Sequence, residues 1–100
     1  MNISDAVDIL WESSQRGIHD PDELRGQLSM DDAYAVQLGL LARLEESGDR
    51  LVGWKVGLTA KAIQAQLGFH EPVLGFLTER ARYVSGSNLD FDNLIAPGFE

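Results

Sequence analysis

Leu51-Val52-Gly53-Trp54-Lys55-Val56-Gly57-Leu58-Thr59 decides how the rest of the 100-residue chain is read. With a period of two, Val52, Trp54, Val56 and Leu58 fall on one face and Gly53, Lys55, Gly57 and Thr59 on the other, the pattern of a half-buried strand. The first face is expected to pack into a core. The second presents one lysine between glycines, so nothing bulky along the strand bars a small molecule from its ammonium. A lysine on the polar face of an amphipathic strand is more often a solvated charge than a site. The pattern alone leaves both readings open.

Downstream, Thr59 stands where it can cap a short helix over residues 60–67, which would bury Ile63 and Leu67 and stop at Gly68. The first amides of such a helix are unsatisfied donors at its positive end, a place for a carboxylate to dock, although every helix has one. Phe69-His70-Glu71-Pro72 reads as a loop. Residues 73–77 and 81–84 read as short strands, separated by Thr78-Glu79-Arg80 and followed by the turn-rich Ser85-Gly86-Ser87-Asn88. Residues 90–94 read as loop or a single turn. His70, and His19 upstream, have no paired nucleophile and read as solvated; no His-Glu spacing suits a metal.

The first half reads as helical. Ser4 is expected to cap a helix running to about Gly17, with Ala6, Val7, Leu10 and Trp11 along its inward stripe. Asp20-Pro21-Asp22-Glu23 opens a short second helix that ends near Gly26. Ser29 opens a longer one, with Asp31 and Asp32 in its first turn, Ala33, Val36, Leu40, Leu41 and Leu44 at helical spacing, and Gly48 at its close. Within it, Tyr34 reads as a packing residue and Gln37 as a solvated one. Gly39 weakens a helix interior by about 1 kcal/mol relative to alanine, so a close approach to another backbone is expected there. Helices in residues 1–50, then mixed strand and helix in 51–100, predict an α+β chain.

The composition, 44% hydrophobic and 8% aromatic, is that of a globular domain with a thin core. There is no cysteine, hence no disulfide framework or thiolate zinc site, which suits a reducing cytoplasm. No apolar run reaches membrane-spanning length, and Met1-Asn2-Ile3-Ser4-Asp5 lacks a signal-peptide layout. The chain is expected to be soluble and cytoplasmic. Sixteen acidic residues against eight basic ones give a net charge of −8, and the basic residues are scattered, which argues against nucleic acid and anionic membranes as partners. An anionic small molecule remains compatible, because local cations outweigh a screened global charge at short range.

Gly53-Trp54-Lys55-Val56-Gly57-Leu58-Thr59, followed by Gln64, Gln66-Leu67-Gly68, Pro72 and Gly75, resembles the 2-keto-4-pentenoate hydratase and 4-oxalocrotonate decarboxylase family, within the fumarylacetoacetate hydrolase-like group. Tyr34 and Gln37 match a further Ala-Tyr-x-x-Gln pattern. Pro97 and Glu100 match the beginning of a Pro-x-x-Glu-x-Glu motif whose glutamates bind a divalent metal. The resemblance therefore implies an N-terminal fragment: a helical segment followed by the start of a mixed, β-rich catalytic fold, with Glu100 as first metal ligand and the remaining ligands absent. It further implies a 2-hydroxypenta-2,4-dienoate type substrate, magnesium or manganese as cofactor, and hydration to a 4-hydroxy-2-oxo acid in aromatic-compound catabolism. Lys55 is then the active-site cation, with Leu58 and Thr59 shaping the substrate pocket. A Schiff base at Lys55 is unnecessary where a metal assists enolisation. Decarboxylation of a 4-oxalocrotonate-type acid is the alternative reaction, since the motifs are shared. Family members assemble, so a homo-oligomer, or association with a paralogous hydratase or decarboxylase subunit, is expected. A reading of another class is an acidic helical interaction module, or inactive fragment, with Trp11, Leu40 and Leu44 as contacts.

Overall fold

The computed structural model describes residues 1–95, 97 and 98. Glu100, the expected metal ligand, lies outside the described residues. By its contacts the chain divides into two compact units, Met1–Arg43 with Tyr83–Glu100, and Leu44–Arg82.

In the first unit, helix α1 spans Ile3–Gln15, and its cap is Asn2 rather than Ser4. Asn2 is extended and its side-chain oxygen accepts the Asp5 amide at 2.8 Å, which leaves Ser4 inside the first turn. Helix α2 spans Met30–Glu46, and the Ser29 hydroxyl accepts the Asp32 amide at 3.1 Å, the expected start. Ala6 and Val7 of α1 are buried with Val36 of α2, and Ile3, Leu10, Leu24 and Leu28 pack around them. Trp11 sits beside this core rather than in it. Half-buried, its ring lies 5.5 Å from the Arg43 guanidinium, which also pairs with Asp8 at 2.7 Å, a cation–π contact worth about 0.5–1 kcal/mol where solvent reaches it. Leu40 and Leu44 are half-buried as well, not an exposed stripe. The expected second helix is a single 3₁₀ turn, Asp22–Leu24, and Phe91–Asn93 is another, matching the single turn expected there.

The second unit holds strand β1 (Leu51–Gly57), helix α3 (Lys61–Leu67) and strand β2 (Val73–Thr78). The strands pair antiparallel, Trp54 opposite Phe76, Lys55 opposite Gly75 and Val56 opposite Leu74. Leu51 opposes Thr78 and Gly53 opposes Leu77, so Val52 is an extra residue in a bulge. The expected burial of one face of β1 does not occur: Trp54 and Val56 are 45% and 49% exposed. Ile63 and Leu67 of α3, also expected inside, are exposed too. Periodicity identifies residues that share a face; two strands and one short helix supply no layer to cover it. The expected strand over residues 81–84 is likewise not formed, because Glu79–Ala81 turns as a 3₁₀ helix directly after β2. Helices with a small antiparallel sheet remain an α+β arrangement. No helix among the described residues is long and apolar enough to cross a membrane.

Gly39 of α2 has a specific reason. A Cβ there would stand 2.7 Å from Val7 Cγ2 of α1, so the close approach is to a side chain and not to backbone as expected. Valine is stiff about its Cα–Cβ bond and cannot swing away cheaply. Overpacking at about 1–3 kcal/mol should outweigh the helix-propensity gain of about 1 kcal/mol. Gly39→Ala is therefore expected to lower the urea midpoint, and adding Val7→Ala to reduce the clash; a Gly39→Ala protein more stable than the parent would contradict this packing.

Candidate functional site

Opposed residues of a strand pair share a face. On the Lys55 side of the sheet the pairs are Gly53 with Leu77, Lys55 with Gly75, and Gly57 with Val73. Thus the lysine has glycine before it, after it and across from it. Lys55, Gly57, Val73, Leu74 and Gly75 line a shallow depression of about 220 Å³. Neither flanking glycine has a positive φ. A Cβ at Gly53 would meet Leu77 at 3.9 Å and one at Gly57 would meet Val73 at 3.6 Å, both ordinary contacts. Packing among the described residues therefore does not require these two glycines. Their consequence is a strand face with no side chain on either side of the exposed Lys55.

Leu58, which follows β1, is the only non-glycine with positive φ among the described residues, at 54°. For a leucine this left-handed conformation costs about 1–2 kcal/mol. The Gln64 side chain meets it: Nε2 donates to the Leu58 carbonyl at 2.7 Å, and the residue is only 7% exposed. Thr59 is exposed and does not cap α3; Ala60 takes the cap position without a side-chain bond. The left-handed turn delays the helix start by a residue, which is why the expected cap falls short. Gln64 is among the residues that carry the resemblance, but nothing in the sequence pattern gave it a role at the site. The helical pattern of α3 points to its apolar residues as the inward ones, whereas the structure buries the glutamine.

Asp49 closes the other end of the strand pair. It is 7% exposed, and its Oδ1 accepts the Arg50 amide at 2.9 Å and the Arg80 amide at 3.1 Å. The Arg80 guanidinium in turn donates to the Ser47 hydroxyl at 3.0 Å and to the Ser47 carbonyl at 2.6 Å. Nearby, Glu79 donates its amide to the Arg50 carbonyl at 2.9 Å, and its carboxylate lies between Arg50 at 3.6 Å and Arg82 at 3.7 Å. Desolvation pushes the Asp49 carboxyl up, but hydrogen bonds from Thr78 and the Arg80 and Arg50 amides, with the Arg80 charge, together hold it below its ordinary value.

Of the other depressions, one of about 500 Å³ is lined by Lys61, Gln64, Ala65, Gly68, Phe69 and His70, so it too carries charged and titratable side chains. Another, of about 460 Å³, is walled by Leu89, Phe91, Leu94, Pro97 and Gly98, with no charged side chain among them. His19 and His70 are exposed, as expected. No group of three or more His, Cys, Asp or Glu among the described residues could hold a metal ion.

A 2-hydroxypent-2,4-dienoate hydratase from Pseudomonas putida is 38% identical over 101 aligned residues, which take in 98% of this chain and 46% of the hydratase. The chain is a relative of the 2-keto-4-pentenoate hydratases and 4-oxalocrotonate decarboxylases. A 4-oxalocrotonate decarboxylase from Pseudomonas putida is 38% identical over 74 residues, 74% of this chain and 28% of that protein. Among solved structures, 4-oxalocrotonate decarboxylase from Pseudomonas putida G7, complexed with magnesium and adipate, matches with a TM-score of 0.69 at 30% identity, covering 78% of this chain and 30% of its own. The chain thus spans less than half the length of these relatives. No family model matches it.

A carboxyl with a lowered folded pKa stabilises fully above its unfolded pKa, about 3.9, and loses that contribution as pH falls through the folded value. Urea midpoints are therefore expected to fall below about pH 4, and Asp49→Asn to lower the pH 7 midpoint while flattening this acid dependence. An unchanged acid limb in Asp49→Asn would remove Asp49 from that role.

Proposed function

We propose that this chain supplies the lysine-bearing part of a metal-dependent hydratase, which adds water to a 2-hydroxypenta-2,4-dienoate type substrate to give a 4-hydroxy-2-oxo acid. The observation that carries this reading is the glycine-framed Lys55 face, in a chain that matches a 2-hydroxypent-2,4-dienoate hydratase along 98% of its length. Such a substrate is small, flat and anionic. A compact ammonium on an open strand face suits it, since the ligand's carboxylate or 2-oxygen can approach without meeting a side chain at 53, 57 or 75.

In this reading Lys55 Nζ hydrogen-bonds the anionic substrate and moves a proton during tautomerisation, with Leu58 and Thr59 bounding the pocket. A divalent ion would supply Lewis-acid polarisation of the 2-oxo group. The described residues do not form its ligand set, since magnesium needs several hard oxygen ligands. Glu100 lies outside them, and the roles assigned here involve only the lysine face. The neighbouring solved decarboxylase favours a second reading, in which the same face serves loss of carbon dioxide from a 4-oxalocrotonate-type acid.

The test uses the protein expressed from its full reading frame, with magnesium, and follows the ultraviolet absorbance of 2-hydroxypenta-2,4-dienoate. Lys55→Ala should lower kcat/KM by about 10²–10⁴-fold, the range for loss of a general acid or base, while Lys61→Ala leaves it unchanged. Gly57→Val should preserve the sheet, because valine suits a strand, yet raise KM by closing the face. Full activity in Lys55→Ala sinks the lysine assignment. Carbon dioxide release from 4-oxalocrotonate without dienoate hydration would select the decarboxylase reading.

A further inference from the structure

The proposed site has a residue behind it that does not belong to the lysine face. Gln64 is 7% exposed on a seven-residue helix whose leucine and isoleucine, Leu67 and Ile63, are 57% and 44% exposed. Burying an amide in preference to two apolar side chains is the reverse of what hydrophobicity alone would choose. The amide therefore has a specific partner. Its Nε2 donates at 2.7 Å to the carbonyl of Leu58, the one described non-glycine residue in the left-handed region.

The anchorage of Gln64 makes that bond directional. Its backbone amide donates to the Ala60 carbonyl at 3.0 Å, and its carbonyl accepts the Phe69 amide at 2.8 Å. Gly68, left-handed at φ 80°, closes the helix at that end. The glutamine thus projects from a fixed backbone onto a strained one, where pinning a disfavoured conformation requires a partner that does not itself move. We infer that Gln64 is a positioning residue of the lysine site: by holding the Leu58 carbonyl it keeps Leu58 left-handed, and so fixes where Leu58 and Thr59 stand at the end of the Lys55 strand. The inference rests on the proposed reading of Lys55, Leu58 and Thr59 as the substrate site.

The role differs from simple stabilisation. A residue that only supports the fold lowers the active fraction and leaves KM unchanged; a residue that positions the pocket changes KM or kcat in protein that is fully folded. Gln64→Leu keeps the volume and removes the donor. In the protein expressed from its full reading frame, with circular dichroism establishing that the variant is folded, Gln64→Leu should reduce kcat/KM for the dienoate by about tenfold or more, as expected for a slightly misplaced binding group. Its KM should rise. The same substitution in a Leu58→Gly background should cost less than about threefold, because glycine takes a left-handed conformation without help. In parallel, the amide-to-α-proton coupling of Leu58, measured by nuclear magnetic resonance, should leave its left-handed value in Gln64→Leu.

Outcomes separate cleanly. An unsubstituted protein that turns over neither dienoate nor 4-oxalocrotonate removes the underlying functional reading, and shows it without any variant. Turnover by the parent with undiminished kcat/KM in Gln64→Leu, equal losses in the parent and Leu58→Gly backgrounds, or an unaltered Leu58 coupling would each overturn the positioning role itself.

Discussion

The second unit depends on one buried carboxylate. Asp49 gathers the amides of Arg50 and Arg80, residues thirty apart in sequence, onto a single oxygen, and so joins the segment entering β1 to the segment leaving β2. A two-stranded sheet is marginal by itself, since it buries little apolar area against the entropy of ordering its chain. Here the sheet's apolar faces are exposed, so polar fastening contributes more than it would in a layered domain. Arg80 extends the fastening to Ser47 at the end of α2. The lysine at the middle of β1 is held in place from the strand ends, not from a core beneath it.

That arrangement explains how an open site can still be defined. Glycines at 53 and 57 leave space, and space alone does not hold a geometry. Definition comes from the register of the strand pair, set at one end by the Asp49 fastening and at the other by the Leu58 turn with its glutamine. The similarity to hydratases and a decarboxylase of short unsaturated acids is consistent with such a face. A small planar anion needs little enclosure from any one segment when its few polar contacts are accurately placed.

Much of this was legible in the residues and some was not. Alternation over residues 51–59 located β1 and assigned Lys55 and its glycines to one face, because a two-residue period is a local property of the backbone. Ser29 and the spacing of Val36 and Leu41 located α2 for the same reason. Burial was legible only where both partners lay in the chain: Ala6, Val7 and Val36 meet, whereas Trp54 and Val56 share a face that no other described layer covers. Caps were misread where a neighbour competed, Asn2 taking the place of Ser4 and the left-handed Leu58 displacing Thr59. Gln64 stood out only as part of the family resemblance and Asp49 not at all, since their roles lie in partners six and thirty-one residues away that no periodicity encodes.

A sheet of two strands has no central strand. Among the described residues β1 pairs with β2 alone, so no described strand lies on the far side of β1. Strand edges of this kind invite self-association, and a charge set in the middle of the strand is among the commonest ways proteins discourage it. Lys55 therefore has a second physical consequence that needs no substrate. In-register pairing of β1 with a second copy of itself would bring two Lys55 ammoniums side by side, an arrangement that like-charge repulsion opposes.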